Sequence, residues 1–149
     1  MTEPRSSVLP TSDLRPHLRG LWLPLVTPFR DGALDEVSLR RLVRHYAALP
    51  LDGLILAATT GESLTLEPFE TERLVFSVHD EAGGIRKLPI LLGLSGSNTR
   101  VLSNMLDRTA SWPLDGYLIS CPYYSRPSQH GLELHFGALA DRAAHPVLL

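Results

Sequence analysis

The chain has 149 residues, of which 44% are hydrophobic and 20% are charged, and its formal net charge is −2. This length is enough for one domain with a buried core, and the composition is typical of a soluble globular protein. The small negative charge argues against a nucleic-acid partner, and no apolar run is long enough to cross a membrane. The single cysteine, Cys121, excludes an internal disulfide and indicates a reducing cytoplasm.

The first 18 residues are polar, contain prolines and lack the apolar core of a secretory signal. We therefore predict a flexible N-terminal tail over residues 1–18 and one folded unit over residues 19–149.

Apolar runs that recur roughly every 30 residues predict β-strands. They cover residues 21–29, 51–57, 88–94, 114–121 and 145–149. A helical pattern fills each gap between them. The helix starts are predicted at Asp35, at Glu67-Pro68, at Asn98 and at Ser128, because these residue types cap or open helices.

The resulting order is βαβαβαβαβ, and the continuous apolar strands indicate a parallel sheet buried on both faces. Two architectures fit this order, an open doubly wound sheet and a (β/α)₈ barrel. The first strand is followed by "LVTPFRDG" and not by G-x-G-x-x-G, which counts against a dinucleotide-binding fold. Both architectures place function at the carboxyl ends of the strands.

The second strand run ends in "ATTGES", which contains Thr59, Thr60, Gly61 and Glu62. Hydroxyls and amides at this point could hold a carboxylate or a phosphate, and Gly61 is expected to supply a φ that a side chain would resist. The alternative is an ordinary turn after a β-branched strand end.

The fourth strand run ends in "SCPYYSRPS", where Pro122 and Pro127 flank Tyr123 and Tyr124. A phenol in a stiffened loop can relay a proton or pack across an interface. A buried aromatic pair under the loop is the alternative, at least for one of the two tyrosines.

No metal site and no cofactor are predicted. The six histidines lack ligand spacing, and we expect all of them at the surface or at helix caps. Cys121 is expected to be a small buried residue at a strand end and not a nucleophile.

Four segments, in this order and at these spacings, resemble the dihydrodipicolinate synthase / N-acetylneuraminate lyase family, and the synthase branch most closely. They are "GLWLPLVTPF", "DGLILAATTGES", "PILLGLSGSNT" and "CPYYSRPSQHGLELHF". The resemblance runs from about Arg19 to the last residue. It implies a (β/α)₈ TIM barrel, of which this chain supplies about strands 1–5 and helices 1–4, the N-terminal half.

The resemblance also implies the chemistry of a lyase, a class I aldolase that uses pyruvate and a small aldehyde, which in the synthase is aspartate semialdehyde. A lysine amine forms a Schiff base with pyruvate, and the resulting enamine attacks the aldehyde. Thr60 would hold the pyruvate carboxylate. Thr59 and Tyr124 would belong to a proton relay, with Tyr124 supplied across a tight dimer interface where Tyr123 packs. The full-length protein is expected to be a cytoplasmic homodimer or homotetramer without a cofactor.

This chain departs from the family pattern at Ala58, where glycine is usual, and at Ser125, where asparagine is common. The resemblance places a second relay tyrosine and the Schiff-base lysine beyond Leu149. The only lysine, Lys87, is expected on the surface at the wrong end of its strand. The chain alone is therefore expected to be inactive.

Two alternatives stay open at this stage. One is another enzyme branch of the family, an aldolase or dehydratase for 2-keto-3-deoxy sugar acids or a hydratase-aldolase. The other is a non-catalytic, truncated half-barrel.

If the complete protein is a lysine-pathway synthase, we expect little feedback inhibition by lysine. Regulated relatives carry His, His and Glu at the positions of Pro68, Thr71 and Leu102, and the carboxylate that would pair with the lysine ammonium is missing here.

Overall fold

The computed structural model describes residues 18–85 and 88–149. The predicted tail, apart from Leu18, and Lys87 lie outside the described residues. The strands are β1 (Trp22–Pro24), β2 (Phe29–Arg30), β3 (Ala33–Leu34), β4 (Gly53–Leu56), β5 (Ile90–Leu94), β6 (Gly116–Ile119) and β7 (Val147–Leu148). The helices are α1 (Glu36–Ala47), α2 (Pro68–Gly83), α3 (Thr99–Thr109) and α4 (Gln129–Ala140).

The main sheet has the strand order β1-β4-β5-β6-β7, and every neighbouring pair is parallel. Each strand therefore adds to the side of the preceding one, as in a barrel, whereas the strand order of a doubly wound sheet reverses. All four helices contribute to one buried cluster on one face of the sheet. The helices thus cover one face only, as they do in a (β/α)₈ barrel.

The predicted helix starts are confirmed. Side chains of Asp35, Asn98 and Ser128 accept hydrogen bonds from amides in the first turns of α1, α3 and α4. Pro68 is the first residue of α2, and the carboxylate of Glu70 accepts from the Glu67 amide. These local signals fix the first residue of each helix and therefore the last residue of the loop before it. They thus limit where the loops at the carboxyl ends of the strands can lie.

The predicted strand over residues 21–29 is only partly correct. Only Trp22–Pro24 joins the main sheet, and residues 29–34 form a separate hairpin of β2 and β3. The turn of this hairpin is Asp31-Gly32, with φ of 53° and 80°. Positive φ at both central residues is the turn that Asp-Gly favours, because its twist matches that of the flanking strands.

The two faces of the sheet are packed differently. Leu54, Leu56 and Leu92 point into the large cluster beneath the helices. On the opposite face, which we call the concave face because it corresponds to the inside of a barrel, Ile55 and Leu91 form a smaller cluster, with the half-buried Trp22 packed against it. The Trp22 ring lies over Gly53, where an added Cβ would come within 2.3 Å of it. A glycine at position 53 therefore lets the indole cover the concave face.

Candidate functional site

A pocket of about 420 Å³ opens at the carboxyl ends of β4, β5 and β6. Its described wall consists of Thr59, Glu62, Ser63, Leu64, Thr65, Ser95, Ser120, Cys121 and Tyr123. Six of these nine residues carry a hydroxyl and Glu62 is the one charged side chain among them, but most of the wall surface is apolar. The pocket thus combines an apolar lining with a few hydroxyl groups that could hydrogen-bond a small ligand.

The threonine loop, residues 57–63, is packed closely against its neighbours. A Cβ at Gly93 in β5 would lie 2.6 Å from the carbonyl oxygen of Ala57. A Cβ at Gly61 would lie 2.9 Å from the carbonyl oxygen of Leu25. The buried hydroxyl of Thr27 donates to the Gly61 carbonyl at 2.7 Å. The ends of β1 and β5 therefore hold this loop from two sides.

The prediction that Gly61 supplies a φ unfavourable for other residues was wrong. Gly61 does not have a positive φ, and the loop instead places Ala57 at 48° and Glu62 at 54°. What position 61 requires is the absence of a Cβ, because backbone atoms of the β1 end approach it closely. A contact between distant segments is invisible to local turn rules.

The loop uses its own amides internally. The amides of Gly61 and Ser63 donate to the Ala58 carbonyl, at 3.0 and 3.3 Å, and the Glu62 amide donates to Thr59 at 3.1 Å. The expectation that amides here hold an anion is therefore not met for these three residues. Thr59 and Thr60 of this loop are exposed.

The tyrosine loop, residues 121–127, stands out from the sheet. Tyr124 has a φ of 69° and a side chain that is fully exposed, whereas Tyr123 is about half exposed. The Tyr123 carbonyl accepts from the Ser125 amide at 2.8 Å and from the Ser97 hydroxyl at 2.6 Å. Two hydrogen bonds to one backbone carbonyl, one of them from the Ser97 side chain, hold this loop.

The structure brings most of the predicted residues to one end of the sheet. Thr59 and Tyr123 line the same pocket. Among the described residues, neither Thr60 nor Tyr124 is part of its wall, although each is next to a residue that is. Thr60 and Tyr124 follow the carboxyl ends of parallel strands and therefore lie at the same rim.

The prediction that Cys121 is buried was wrong, because Cys121 is exposed and lines the pocket. Sequence reasoning also did not single out Ser95 and Ser120 of the same wall. The Ser120 hydroxyl is buried and has no hydrogen-bond partner in the described part of the chain. Each of these serines is the first residue after a strand, and this position was the signal that could have identified them.

We expected all histidines at the surface or at helix caps, and this prediction was wrong for His135. This side chain is buried between α3 and α4, and its Nδ1 lies 2.8 Å from the Thr99 hydroxyl. Burial lowers the pKa of His135, because a charged imidazolium is disfavoured away from water. His135 is thus a structural contact of the helix that follows the tyrosine loop.

A second, smaller cavity of about 170 Å³ lies behind the threonine loop. Its wall includes Pro68, Thr71 and Leu102 together with Leu66 and Met105. It shares Ser63, Leu64 and Ser95 with the larger pocket. Pro68, Thr71 and Leu102, the positions at which regulated relatives are expected to carry His, His and Glu, therefore line one mainly apolar cavity.

Residues 18–85 and 88–149 contain neither a candidate metal site nor a candidate membrane span. They contain no group of three or more His, Cys, Asp or Glu side chains arranged to hold a metal ion. In the same residues, no helix combines the length and the apolar character needed to span a bilayer.

Comparison with known proteins places this geometry in context. The sequence profile of the Dihydrodipicolinate synthetase family matches residues 17–149. A 4-hydroxy-tetrahydrodipicolinate synthase from Methylobacterium radiotolerans is 39% identical over 133 residues, which cover 89% of this chain and 44% of the relative. The chain thus spans about half the length of the curated relatives it matches.

Solved structures give the same result. The 4-hydroxy-tetrahydrodipicolinate synthase of Methylacidiphilum fumariolicum SolV superposes with a TM-score of 0.82 at 32% identity, over 89% of this chain and 43% of that one. A chloride-inhibited dihydrodipicolinate synthase from Acinetobacter baumannii, complexed with pyruvate, gives 0.80 at 29% identity, over 86% and 44%. On the profile match, the sequence identity and the shared fold, this chain belongs to the dihydrodipicolinate synthetase family and forms part of its (β/α)₈ barrel.

Proposed function

We propose that the complete protein is a lyase that condenses pyruvate with aspartate semialdehyde, a 4-hydroxy-tetrahydrodipicolinate synthase. In this proposal residues 19–149 are the N-terminal half of the catalytic barrel. The complete protein would act in the cytoplasm as a homodimer or homotetramer. The names of the relatives support the reaction.

One observation carries the proposal most directly. The threonine loop and the tyrosine loop meet at one rim, where Thr59 and Tyr123 line a common pocket of about 420 Å³. A keto acid needs hydroxyl donors for its carboxylate and a proton donor near its carbonyl group. Both kinds of group are available at this rim and come from loops that are far apart in sequence.

We assign the pyruvate carboxylate to the hydroxyl of Thr60 and a proton relay to Thr59 and Tyr124. Hydrogen bonds to a carboxylate are stronger than those between neutral groups, so a single threonine contributes measurably to binding. The relay would carry a proton when the amine and the ketone lose water, and again when the new carbon–carbon bond forms and the aldehyde oxygen becomes a hydroxyl. Tyr124, being exposed in one chain, would serve the site of a neighbouring copy.

The amine that forms the Schiff base is not assigned to a described residue. Lys87 is the only lysine. It lies outside the described residues, and we assign it no role in the reaction. Arginine cannot replace lysine, because a guanidinium stays protonated. We therefore expect the 149-residue chain alone to be inactive and the complete gene product to be active.

Borohydride trapping tests the proposal. The complete gene product is the protein read from the gene to its own stop codon. Both it and the 149-residue chain are incubated with pyruvate and borohydride, and intact masses are measured. We expect one pyruvate adduct on the complete product and none on the shorter chain. An adduct on Lys87, or no adduct on either protein, would contradict the proposal.

Matched variants of the complete product connect the trapping to the rim. Thr60→Val removes the hydroxyl while keeping the shape, and we expect it to raise the pyruvate concentration needed for half-maximal trapping about tenfold. Ser111→Ala removes an exposed hydroxyl between α3 and β6, at the other end of the sheet, and should raise it less than about twofold. Equal effects of the two variants would contradict the role of Thr60.

The choice of aldehyde requires a separate assay. The complete product is given pyruvate with aspartate semialdehyde or, in parallel, is tested for cleavage of 2-keto-3-deoxy sugar acids. Turnover with aspartate semialdehyde alone is the expected result. Cleavage of the sugar acids without turnover of aspartate semialdehyde would move the protein to another branch of the family.

A further inference from the structure

The backbone at Tyr124 forms a turn of an uncommon kind. The Tyr123 carbonyl accepts from the amide of Ser125, two residues further on, at 2.8 Å. The intervening residue, Tyr124, has a φ of 69°. A carbonyl-to-amide bond across one residue of positive φ is a γ-turn of the rare, strained form. For an aromatic residue this region is a genuine outlier, so other contacts must hold the turn.

A second donor reaches the same carbonyl from another loop. The Ser97 hydroxyl donates to the Tyr123 carbonyl at 2.6 Å, across 26 positions of sequence. The next residue, Asn98, caps α3 by accepting from the amides of Arg100 and Val101. The donor therefore stands at a fixed helix start, and it connects the turn to the β5–α3 connection.

The described residues give the Tyr124 side chain no comparable support. Its side chain is fully exposed, so packing against the described residues does not orient the phenol. Within one chain, the direction of the phenol then depends on the backbone of the turn. A bond that stabilises the turn therefore also determines where the phenolic oxygen lies.

We propose that Ser97 is a positioning residue that fixes the Tyr124 phenol for proton transfer. This inference rests on the proposed function, in which Tyr124 relays protons. Without the hydroxyl at position 97, the Tyr123 carbonyl keeps one donor, and Tyr124 can leave its strained φ. Proton transfer then becomes slower, while the pyruvate carboxylate, held at Thr60, stays bound.

The kinetic test uses the complete gene product. We expect Ser97→Ala to lower kcat about threefold to tenfold, the loss typical of one hydrogen bond, and to change the KM for pyruvate less than about twofold. Ser97→Thr keeps a hydroxyl and should restore most of kcat. Ser111→Ala, an exposed serine between α3 and β6 at the other end of the sheet, is the matched control and should change neither constant.

Two further variants test whether Ser97 acts through Tyr124. In a Tyr124→Phe background the phenol is already absent, so Ser97→Ala should produce no further loss of kcat. A full additional loss in that background would overturn the inference. A Ser97→Ala enzyme with unchanged kcat would overturn it as well, and the proposed function would stand.

A measurement without catalysis separates the two failures. The amide of Ser125 is followed by hydrogen exchange in the chain and in its Ser97→Ala variant. We expect faster exchange of this amide in the variant and unchanged exchange of amides within α1. If the complete product never reacts with pyruvate, the proposed function fails. Unchanged exchange of the Ser125 amide in the variant would reject the positioning by Ser97.

Discussion

The threonine loop and the tyrosine loop face the same pocket but are held in different ways. The threonine loop is pressed against backbone atoms of β1 and β5 and is secured by the buried hydroxyl of Thr27. The tyrosine loop carries a fully exposed Tyr124 and is held by two hydrogen bonds at one carbonyl. Changes to the groups that pack the first loop should therefore cost stability, and changes in the second loop should cost activity while sparing the fold.

The largest effect is expected for Gly93→Ala. A Cβ there would lie 2.6 Å from the Ala57 carbonyl oxygen, which is closer than such atoms approach. We expect the free energy of unfolding to fall by about 3 kcal/mol, because backbone must move to make room. Urea unfolding followed by circular dichroism measures this change.

Gly137→Ala is the matched control for that experiment. Gly137 lies in α4 with no neighbour within 4 Å of an added Cβ. Alanine in an open helical position should raise the free energy of unfolding by up to about 1 kcal/mol. If Gly93→Ala were equally harmless, the threonine loop would not be packed as described.

For the tyrosine loop, Tyr124→Phe should affect the reaction and spare the fold. We expect kcat of the complete product to fall about 100-fold, the usual loss for a proton-transfer group, with the free energy of unfolding changed by less than about 0.5 kcal/mol. Tyr46→Phe on α1 is the control. A loss of stability without a loss of kcat would reverse the comparison between the loops.

A smaller loss of stability is expected for Thr27→Val. The Thr27 side chain is buried, and removal of its hydroxyl leaves the Gly61 carbonyl without this donor. We expect the free energy of unfolding to fall by about 1–2 kcal/mol. Thr65→Val removes an exposed bond to the Glu62 carbonyl and should cost less than about 0.5 kcal/mol. Equal costs would show that burial does not secure the loop.

The pH dependence of stability tests what holds α4 behind the tyrosine loop. Burial lowers the pKa of His135 below its usual 6.5, so the unfolded chain takes up the proton first as the pH falls. The stability from neutral His135 is complete above pH 6.5. It is lost as the pH falls through the lowered pKa, at no more than about 1.4 kcal/mol per pH unit.

Urea unfolding between neutral and mildly acidic pH measures this loss. His135→Gln should flatten the pH dependence, whereas His79→Gln, at an exposed position, should leave it unchanged. A wild-type slope that persists in His135→Gln would mean that another group causes the acid sensitivity.

The smallest effect is expected for added lysine. Pro68, Thr71 and Leu102 line a mainly apolar cavity of about 170 Å³ behind the threonine loop, and none of them offers a carboxylate to an ammonium group. We expect millimolar lysine to change the activity of the complete product by less than about twofold, because a buried unpaired ammonium is disfavoured. A lysine-inhibited relative serves as the positive control. Strong inhibition would show that a different site binds the effector.

Local signals explain which features could be predicted from the sequence. The caps at Asp35, Asn98 and Ser128 were found because a cap depends on residues three positions away. The parallel order of the strands followed from continuous apolar runs. The hairpin at Asp31-Gly32 also carries a local signal, but the apolar run over residues 21–29 concealed it.

The details of the site depend on contacts that local rules do not contain. The reason for glycine at positions 61 and 93 is a close approach of segments distant in sequence. Nothing in the letters around Tyr124 indicates a positive φ, since aromatic residues rarely adopt one. Likewise, the exposure of Cys121 depends on how the loops around the pocket are arranged in space.

The indole of Trp22 over Gly53 provides an optical probe of the concave face of the sheet. The chain has two tryptophans, and the second, Trp112, lies in the cluster beneath the helices with its ring edge-on to Phe76. A Trp112→Phe variant would therefore emit indole fluorescence from the concave face alone. Collisional quenching of that emission reports directly how far small solutes reach into the hollow of the sheet.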